Sequence, residues 1–156
     1  MLYLVRHAKA GSRSGWVGDD QLRPLSNKGR RQAVHLADRL APLVSGDLVS
    51  SPSLRCIETL QPLAEHRAEH LAGAVRADHR LAEGMGFEGA LQLLGELPDG
   101  SVICSHGDVI PDTIDALQRR GCRILTEPDW RKASVWVLTR TVDGITQAEV
   151  WPPPED

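Results

Sequence analysis

The sequence contains few aromatic residues and few cysteines. Among its 156 residues are four Trp, one Tyr, one Phe and three Cys. With so few rings, a hydrophobic core must rest on Leu, Val, Ile and Ala. The three cysteines, Cys56, Cys104 and Cys122, are an odd number without the spacing of a disulfide framework. We therefore expect buried, reduced thiols and a reducing compartment.

Long apolar runs and an excess of positive charge are also missing. No apolar stretch approaches the roughly 20 residues that a membrane-spanning helix needs. The N-terminal apolar run ends at Val5, too early for a secretory signal. These features predict a cytoplasmic protein without a membrane partner. The formal net charge of −3 argues against binding to a nucleic acid polymer, but a local cluster of arginines can still attract a small anionic substrate.

Short apolar runs that alternate with helical patterns predict an α/β fold. The expected strands are Leu2–Val5, Asp47–Ser50, Ala74–Arg76, Ser101–Ser105, Ser134–Thr139 and Ile145–Val150. The expected helices start after an N-cap at Ser26, at Ser51-Pro52, at Glu88 and after a cap at Asp108. No linker interrupts the chain, so we expect a single domain over residues 1–156, with a mobile proline-rich tail at 152–156.

Arginine and histidine residues follow three of the expected strands. Arg6 and His7 follow the first strand, His106 follows Ser101–Ser105, and Arg55 lies one helical turn beyond Asp47–Ser50. If these strands are parallel neighbours, the four side chains meet at one edge of the sheet. Guanidinium groups match phosphate oxygens, and a neutral imidazole among them can attack phosphorus. The residues alone thus indicate an anion site, and leave open whether it is catalytic.

Five segments of the sequence resemble, in order, the motifs of the histidine phosphatase superfamily, to which phosphoglycerate mutases also belong. They are LVRHA (residues 4–8), RPLSNKGRRQA (23–33), SSPSLRCIET (50–59), RLAEG (80–84) and VICSHGDVI (102–110). The resemblance implies a three-layer α/β/α sandwich with a central, mostly parallel sheet. It also implies hydrolysis of a phosphomonoester or a phosphohistidine through a covalent phosphohistidine, without a metal or another cofactor.

The resemblance assigns roles to individual residues. His7 would be the nucleophile, and Glu83 would protonate the leaving group. The phosphate would be held by a second set of residues: Arg6, Arg55, His106 and Gly107. Ala8 stands where the family motif has glycine, and its methyl group fits if the residue has a negative φ.

Two subgroups of the family suggest different substrates. The short chain is similar to SixA-type phosphohistidine phosphatases, whereas RHAKAG (6–11), GDDQLRPLS (18–26), GDVIPD (107–112) and WRKASVWVL (130–138) are similar to the histidine phosphatase domain of mycobacterial MutT-type hydrolases. The expected partner is therefore a small phosphorylated molecule or a phosphohistidine protein. Cationic residues at the pocket entrance would contact a larger substrate: Lys9, Arg13, Arg23 and Arg131.

Several alternatives remain at this point. The chain could be a non-catalytic module that binds a phosphorylated partner, a nucleotide-directed phosphatase or a mutase. Residues 84–89 match G-x-G-x-x-G, but the polar segment before them cannot supply the buried strand of a dinucleotide site. His66 and His70 are spaced for a metal on a helix, yet no third ligand lies nearby in the sequence, so a solvated helix face is expected.

Overall fold

The computed structural model describes residues 1–68 and 74–155 of the chain. Strands and helices alternate along most of this length. In chain order they are β1 (Leu2–Arg6), α1 (Asn27–Leu40), β2 (Leu48–Ser50), α2 (Leu54–Ala68), β3 (Val75–Ala77), α3 (Glu88–Glu96), β4 (Val102–Ser105), α4 (Val109–Arg119), β5 (Arg123–Ile124), β6 (Val135–Thr141) and β7 (Gly144–Trp151). Short 3-10 helices lie at Asp20–Leu22 and His79–Leu81.

The strands form one mixed sheet in the order β3-β2-β4-β1-β6-β7-β5. Strands β3, β2, β4 and β1 are parallel neighbours, and β6 is antiparallel to both β1 and β7. Cys104 of β4 pairs with Val5 of β1 on one side and with Ser50 of β2 on the other. Because β1, β4 and β2 are adjacent and parallel, their carboxyl ends meet at one edge of the sheet, as the sequence predicted.

The helices cover both faces of this sheet, which confirms the predicted α/β/α sandwich. On β1, Tyr3 and Val5 join the core under α1 and α2, whereas Leu2 and Leu4 join the core under α3 and α4. Trp136 of β6 is fully buried on the second face. Leu, Val, Ile and Ala make up most of both cores, and all three cysteines are buried and free. Each buried leucine contributes about 2 kcal/mol through the apolar area it removes from water.

The helix starts agree only in part with the sequence patterns. The Ser26 hydroxyl caps α1 by accepting from the Gly29 N–H at 3.1 Å, as predicted. However, α2 begins at Leu54, three residues after Ser51, whose hydroxyl is bonded to a histidine instead. The Asp108 carboxylate does not cap α4 either, because it accepts from the Gly84 N–H at 2.7 Å.

Two further features of the fold, the length of α2 and the presence of β5, depend on tertiary contacts. Helix α2 continues through Pro62 to Ala68, although a proline inside a helix costs about 3 kcal/mol. Leu60 and Leu63 on the same helix are fully buried, and this packing offsets the lost hydrogen bond. The two-residue strand β5 has no signal in the sequence, because it exists only through its pairing with β7. Within the described part of the chain, no helix is both long and apolar enough to cross a membrane.

Candidate active site

The carboxyl ends of β1 and β4 bring two buried histidines together. His7 and His106 are 5% and 2% exposed, and their ring centroids lie 5.5 Å apart at 67°. The His7 backbone N–H donates to the Ser105 carbonyl at 3.0 Å, which ties the end of β1 to the end of β4. Both rings line a pocket of about 780 Å³, whose other lining residues include Arg6, Lys9, Arg13, Arg23, Glu83, Gly107 and Lys132.

His7 has the protonation state that a nucleophilic imidazole requires. Its Nδ1 lies 2.8 Å from the Ala8 carbonyl oxygen, which can only accept, so Nδ1 carries the proton and Nε2 keeps its lone pair. The pKa of His7 is lowered to about 3, chiefly by burial and also by the nearby His106, Arg55 and Arg6, against the bond to Ala8, which raises it. The imidazole is therefore neutral over the whole physiological range.

The residue after His7 fits the site although it is not glycine. Ala8 is fully buried, and its φ is not positive, since Ala133 is the one non-glycine residue with positive φ in the described chain. The Ala8 N–H donates to Thr59 Oγ1 at 2.9 Å, and this hydroxyl donates to the Arg55 carbonyl at 2.7 Å. These two bonds connect the His7 loop to helix α2.

Arg6 is held beside His7 by its neighbours. Its Nη1 donates to the Trp130 carbonyl at 2.5 Å, and burial lowers its pKa. Gly107 makes this position possible, since a Cβ there would lie 2.7 Å from Cζ of Arg6. The residue that the resemblance assigned to phosphate binding thus provides room for a guanidinium group.

Arg55 is held by two acidic residues, Asp20 and Glu83. This side chain is 1% exposed. Its Nη1 donates to the Asp20 carbonyl at 2.9 Å, and its Nη2 lies 3.1 Å from Glu83 Oε2 and 3.3 Å from Asp20 Oδ2. Asp20 also accepts from Arg23 Nε at 2.9 Å, so one carboxylate fixes two arginines. Apart from its place in a polar loop, nothing in the sequence indicates this role of Asp20.

The Nε2 atom of His106 is held by the side chain of Ser51. Its Nε2 lies 2.8 Å from Ser51 Oγ and 3.6 Å from Cys56 Sγ. The Ser51 hydroxyl also accepts from the Ser53 N–H at 3.3 Å, which leaves its own proton for Nε2. The ring proton then lies on Nδ1. Sequence reasoning treated Ser51 as a helix cap, because a serine before a proline carries no sign of a distant imidazole.

Among the described residues, three buried nitrogen atoms near His7 have no hydrogen-bond partner. They are Nε of Arg6, Nε of Arg55 and Nδ1 of His106. Buried N–H groups are rarely unpaired, because leaving a donor unsatisfied costs about 1–3 kcal/mol, and more for a charged group. An oxyanion bound here could accept from these donors. The arrangement thus has the groups that a phosphate site beside a neutral imidazole requires.

Glu83 lies at the mouth of this pocket. Its side chain is 42% exposed, and Oε1 accepts from Arg13 Nη2 at 2.9 Å while Oε2 faces Arg55. Arg13 is itself exposed and also lies 3.7 Å from Asp20. The Glu83 carboxylate thus connects the exposed side chain of Arg13 at the entrance to the buried side chain of Arg55.

The remaining sequence candidates lie in different places. Lys9 lines the pocket, whereas Arg131 lines an adjacent groove and is paired with Asp129 at 2.6 Å. Arg23 is buried at the pocket edge and donates to Asp20 and to the Gly11 carbonyl. Its guanidinium group fixes the loop after Gly11, which is a structural task not expected from the sequence.

No group of three or more His, Cys, Asp or Glu side chains in the described residues could hold a metal ion. His66 lies near the end of α2, and its proposed partner His70 is outside the described residues. The G-x-G-x-x-G match at 84–89 follows the 3-10 helix His79–Leu81 rather than a buried strand, which agrees with its rejection as a dinucleotide site.

Comparison with known proteins gives the same class of molecule. A model of the histidine phosphatase superfamily, branch 1, matches residues 2–92. The 8-oxo-(d)GTP phosphatase of Mycolicibacterium smegmatis is 34% identical over 161 residues, a match that covers 98% of this chain and 48% of that protein. This chain thus spans about half the length of that relative. The chain belongs to the histidine phosphatase superfamily.

Solved structures of SixA proteins share the fold. One, described as the phosphohistidine phosphatase SixA of Nakamurella multipartitia, has a TM-score of 0.68 and 25% identity, with 97% of this chain and 95% of that chain covered. A second, the protein histidine phosphatase SixA complexed with tungstate, has a TM-score of 0.65 and 20% identity, with 88% and 86% covered.

Proposed function

We propose that this protein is a phosphatase that transfers a phosphoryl group to His7 and then to water. The observation that carries the proposal is the set of three unpartnered buried donors, on Arg6, Arg55 and His106, around an imidazole whose Nε2 keeps its lone pair. These donors match the equatorial oxygens of a phosphoryl group in transfer. Membership of the histidine phosphatase superfamily supports the same chemistry.

In the first step, His7 Nε2 attacks phosphorus, the P–N bond forms and the bond to the leaving group breaks. A protonated Glu83 gives its proton to the leaving-group oxygen or nitrogen. In the second step, water attacks the phosphohistidine, Glu83 takes a proton from it, and the P–N bond breaks to release phosphate and neutral His7. The bonds of Glu83 to Arg13 and Arg55 hold its carboxyl group at the entrance of the pocket.

Two classes of substrate are suggested by the relatives of this chain. Similarity to SixA proteins favours a phosphohistidine protein, and similarity to an 8-oxo-(d)GTP phosphatase favours a nucleotide. Both are phosphoryl donors that the same pocket would accept. The sequence alternative, a non-catalytic phosphate-binding module, predicts no turnover of any phosphate ester.

Trapping of the covalent intermediate tests the proposal. The protein is mixed with ³²P-labelled substrate, quenched in alkali and analysed for acid-labile, alkali-stable label on His7. We expect His7→Ala to abolish both the label and the turnover of p-nitrophenyl phosphate in the presence of a chelator, and Arg55→Ala to lower kcat/KM by about 10²–10³-fold.

His35→Ala is the matched control, because His35 is exposed on α1, away from the pocket, and it should retain wild-type activity. Label on Glu83 or on a cysteine would overturn the nucleophile assignment. Tight binding of a phosphopeptide without turnover would favour the binding module.

A further inference from the structure

All three lysines of the chain line one groove. The sequence contains 15 arginines but only Lys9, Lys28 and Lys132 as lysines. The three line a groove of about 820 Å³, here called the lysine groove, whose far wall is formed by Pro152–Pro154. Arg6, Lys9 and Lys132 line both this groove and the pocket of His7, so the two spaces adjoin each other.

The lysine side chains have no acidic partners among the described residues, in contrast to the arginines beside them. Arg131 is paired with Asp129, and Arg39 stacks on the ring of Trp151 at 3.6 Å. Among the described residues, the groove is lined by a single carboxylate, that of Glu155. Burial and the charges of Arg6, Arg23, Lys9 and Arg13 lower the pKa of Lys132, which reflects a concentration of positive charge around it.

The backbone of Lys9 is fixed toward the groove by helix α1. Its N–H donates to Gln32 Oε1 at 3.0 Å, and its carbonyl accepts from the Ser26 N–H at 2.9 Å and from the Ser26 hydroxyl at 3.1 Å. Three bonds therefore define the position from which the Lys9 side chain extends.

The backbone beside Lys132 is fixed from the other side. Ala133 is fully buried with a φ of +68°, an uncommon conformation for a residue with a Cβ. Its N–H donates to the carbonyls of Arg6 at 3.1 Å and of His7 at 3.2 Å. Strain of this kind costs about 1–3 kcal/mol and persists where surrounding contacts enforce it. Here it keeps Lys132 next to Arg6 and the nucleophile.

We propose that the lysine groove binds a second phosphate group of the substrate, held by Lys9 and Lys132, so that the preferred substrates are diphosphates whose terminal phosphoryl group is transferred to His7. The inference rests on the proposed phosphatase function. In such a substrate the P–O–P bond breaks, the P–N bond to His7 forms, and the bridging oxygen leaves with the second phosphate.

The chemistry of this leaving group explains why ammonium groups are useful there. A phosphate has a second pKa near 6, so it departs as an anion without a proton from Glu83. Lys9 and Lys132 would neutralise the charge that develops on it, and water attacks the phosphohistidine as before. A phosphomonoester with an uncharged leaving group makes no use of the lysines.

A ratio of specificities tests the inference. Wild-type kcat/KM is measured for inorganic pyrophosphate and for a nucleoside diphosphate, each relative to p-nitrophenyl phosphate. We expect Lys9→Gln and Lys132→Gln each to lower both ratios by about tenfold or more, as the loss of a charged hydrogen bond predicts. Arg120→Gln, an exposed charge outside the pocket and the groove, should retain the wild-type ratios.

The two diphosphates distinguish the sources of the second phosphate. If the lysine variants lower the kcat/KM ratio for both diphosphates, the groove recognises phosphate itself. If they lower the ratio for the nucleoside diphosphate alone, the groove recognises the nucleoside as well. Unchanged ratios, with p-nitrophenyl phosphate still hydrolysed, would overturn the inference and leave the phosphatase function intact. A larger loss for a phosphohistidine protein than for either diphosphate would overturn it in favour of an acidic protein partner.

Binding without turnover gives an independent measurement. In His7→Ala protein, reductive ¹³C-methylation of the lysines reports on the groove alone, since every lysine lies there. We expect pyrophosphate to shift the dimethyl-lysine signals of Lys9 and Lys132, and p-nitrophenyl phosphate to shift them much less. Absence of any shift with pyrophosphate overturns the inference, even if the wild-type protein is an active phosphatase. If the wild-type protein has no phosphatase activity, a shift still supports phosphate binding in the lysine groove.

Discussion

At the scale of single residues, two histidines of the same kind are set up for opposite tasks. In both rings the proton lies on Nδ1, but His7 bonds its Nδ1–H to the Ala8 carbonyl, whereas His106 uses Nε2 to accept from Ser51. His7 therefore presents a lone pair to the pocket, and His106 presents an N–H. In each ring, one nitrogen is bonded to the protein, and that bond decides what the other nitrogen offers: a lone pair that can attack phosphorus or an N–H that can stabilise its oxygens.

Replacement of Ser51 by alanine tests this assignment. Without the hydroxyl, Nε2 of His106 loses the donor that keeps it unprotonated, and the population with a proton on Nδ1 falls. We expect Ser51→Ala to lower kcat for p-nitrophenyl phosphate about tenfold with little change in KM, which corresponds to the roughly 1.4 kcal/mol of one hydrogen bond.

The ¹⁵N chemical shifts of the His106 ring should report the change of tautomer directly. Ser53→Ala is the matched control, because Ser53 contacts Ser51 through its backbone N–H, which the substitution keeps. Wild-type ¹⁵N shifts in Ser51→Ala would contradict the positioning role.

At the scale of elements, helix α1 is docked on the loop that follows the nucleophile. A Cβ on Gly29 would lie 1.9 Å from the Lys9 carbonyl oxygen, so only glycine allows this contact. Gly95 on α3 offers the opposite case, since nothing lies within 4 Å of a Cβ built there. One glycine permits close packing, and the other only increases the entropy of the unfolded chain.

The two glycine substitutions should therefore change stability in opposite directions. We expect Gly29→Ala to lower the free energy of unfolding by about 1–3 kcal/mol through overpacking, and to lower kcat/KM because the Lys9 loop moves. Gly95→Ala should raise the free energy of unfolding by about 0.5–1 kcal/mol and leave activity at the wild-type level. Urea denaturation of both variants measures the difference, and a stabilised Gly29→Ala protein would disprove the docking contact.

At the scale of the whole molecule, burial of a neutral His7 links folding to pH. Its pKa is lowered from 6.5 to about 3 in the folded protein. Between these values the unfolded chain binds a proton that the folded protein does not, so stability falls as pH decreases from 6.5 toward 3. Over this window the loss amounts to about 4 kcal/mol from one side chain.

An acid-unfolding experiment measures this linkage. We expect His7→Asn, which keeps a donor for the Ala8 carbonyl, to flatten the decrease of stability between pH 6.5 and 3. His35→Asn, at an exposed position on α1, should keep the wild-type pH dependence. Equal slopes in the wild type and in His7→Asn would show that the folded protein binds the proton at His7 as readily as the unfolded chain.

The fold was predictable to a large extent because its signals are local. The alternation of apolar runs and helical patterns along the chain predicted all of the longer elements, and the cap at Ser26 was correct. Strand β5 and the start of α2 were not predicted, since each depends on partners distant in sequence. The continuity of α2 through Pro62 likewise depends on tertiary packing.

The candidate site was predictable in its main groups and not in its supporting ones. The motifs indicated His7 and Arg55, and the fold brings Arg55 near enough to His7 to lower the pKa of its imidazole. Ser51 and Asp20 were missed, because a hydroxyl or carboxylate that orients another side chain has no characteristic spacing. Gly107 was expected to contact phosphate, whereas its lack of a Cβ gives room to Arg6.

The sequence by itself thus determined which chemical groups are available and at which strand ends they lie, starting with Arg6 and His7 after β1. Local periodicity and motif order suffice for that. Only the tertiary structure decided that β4 lies between β1 and β2 and that three scattered lysines share one groove. It also decided which ring nitrogen of His7 and of His106 is bonded to the protein. Those features depend on contacts between segments far apart in the chain, where hydrogen-bond partners and close packing select one arrangement.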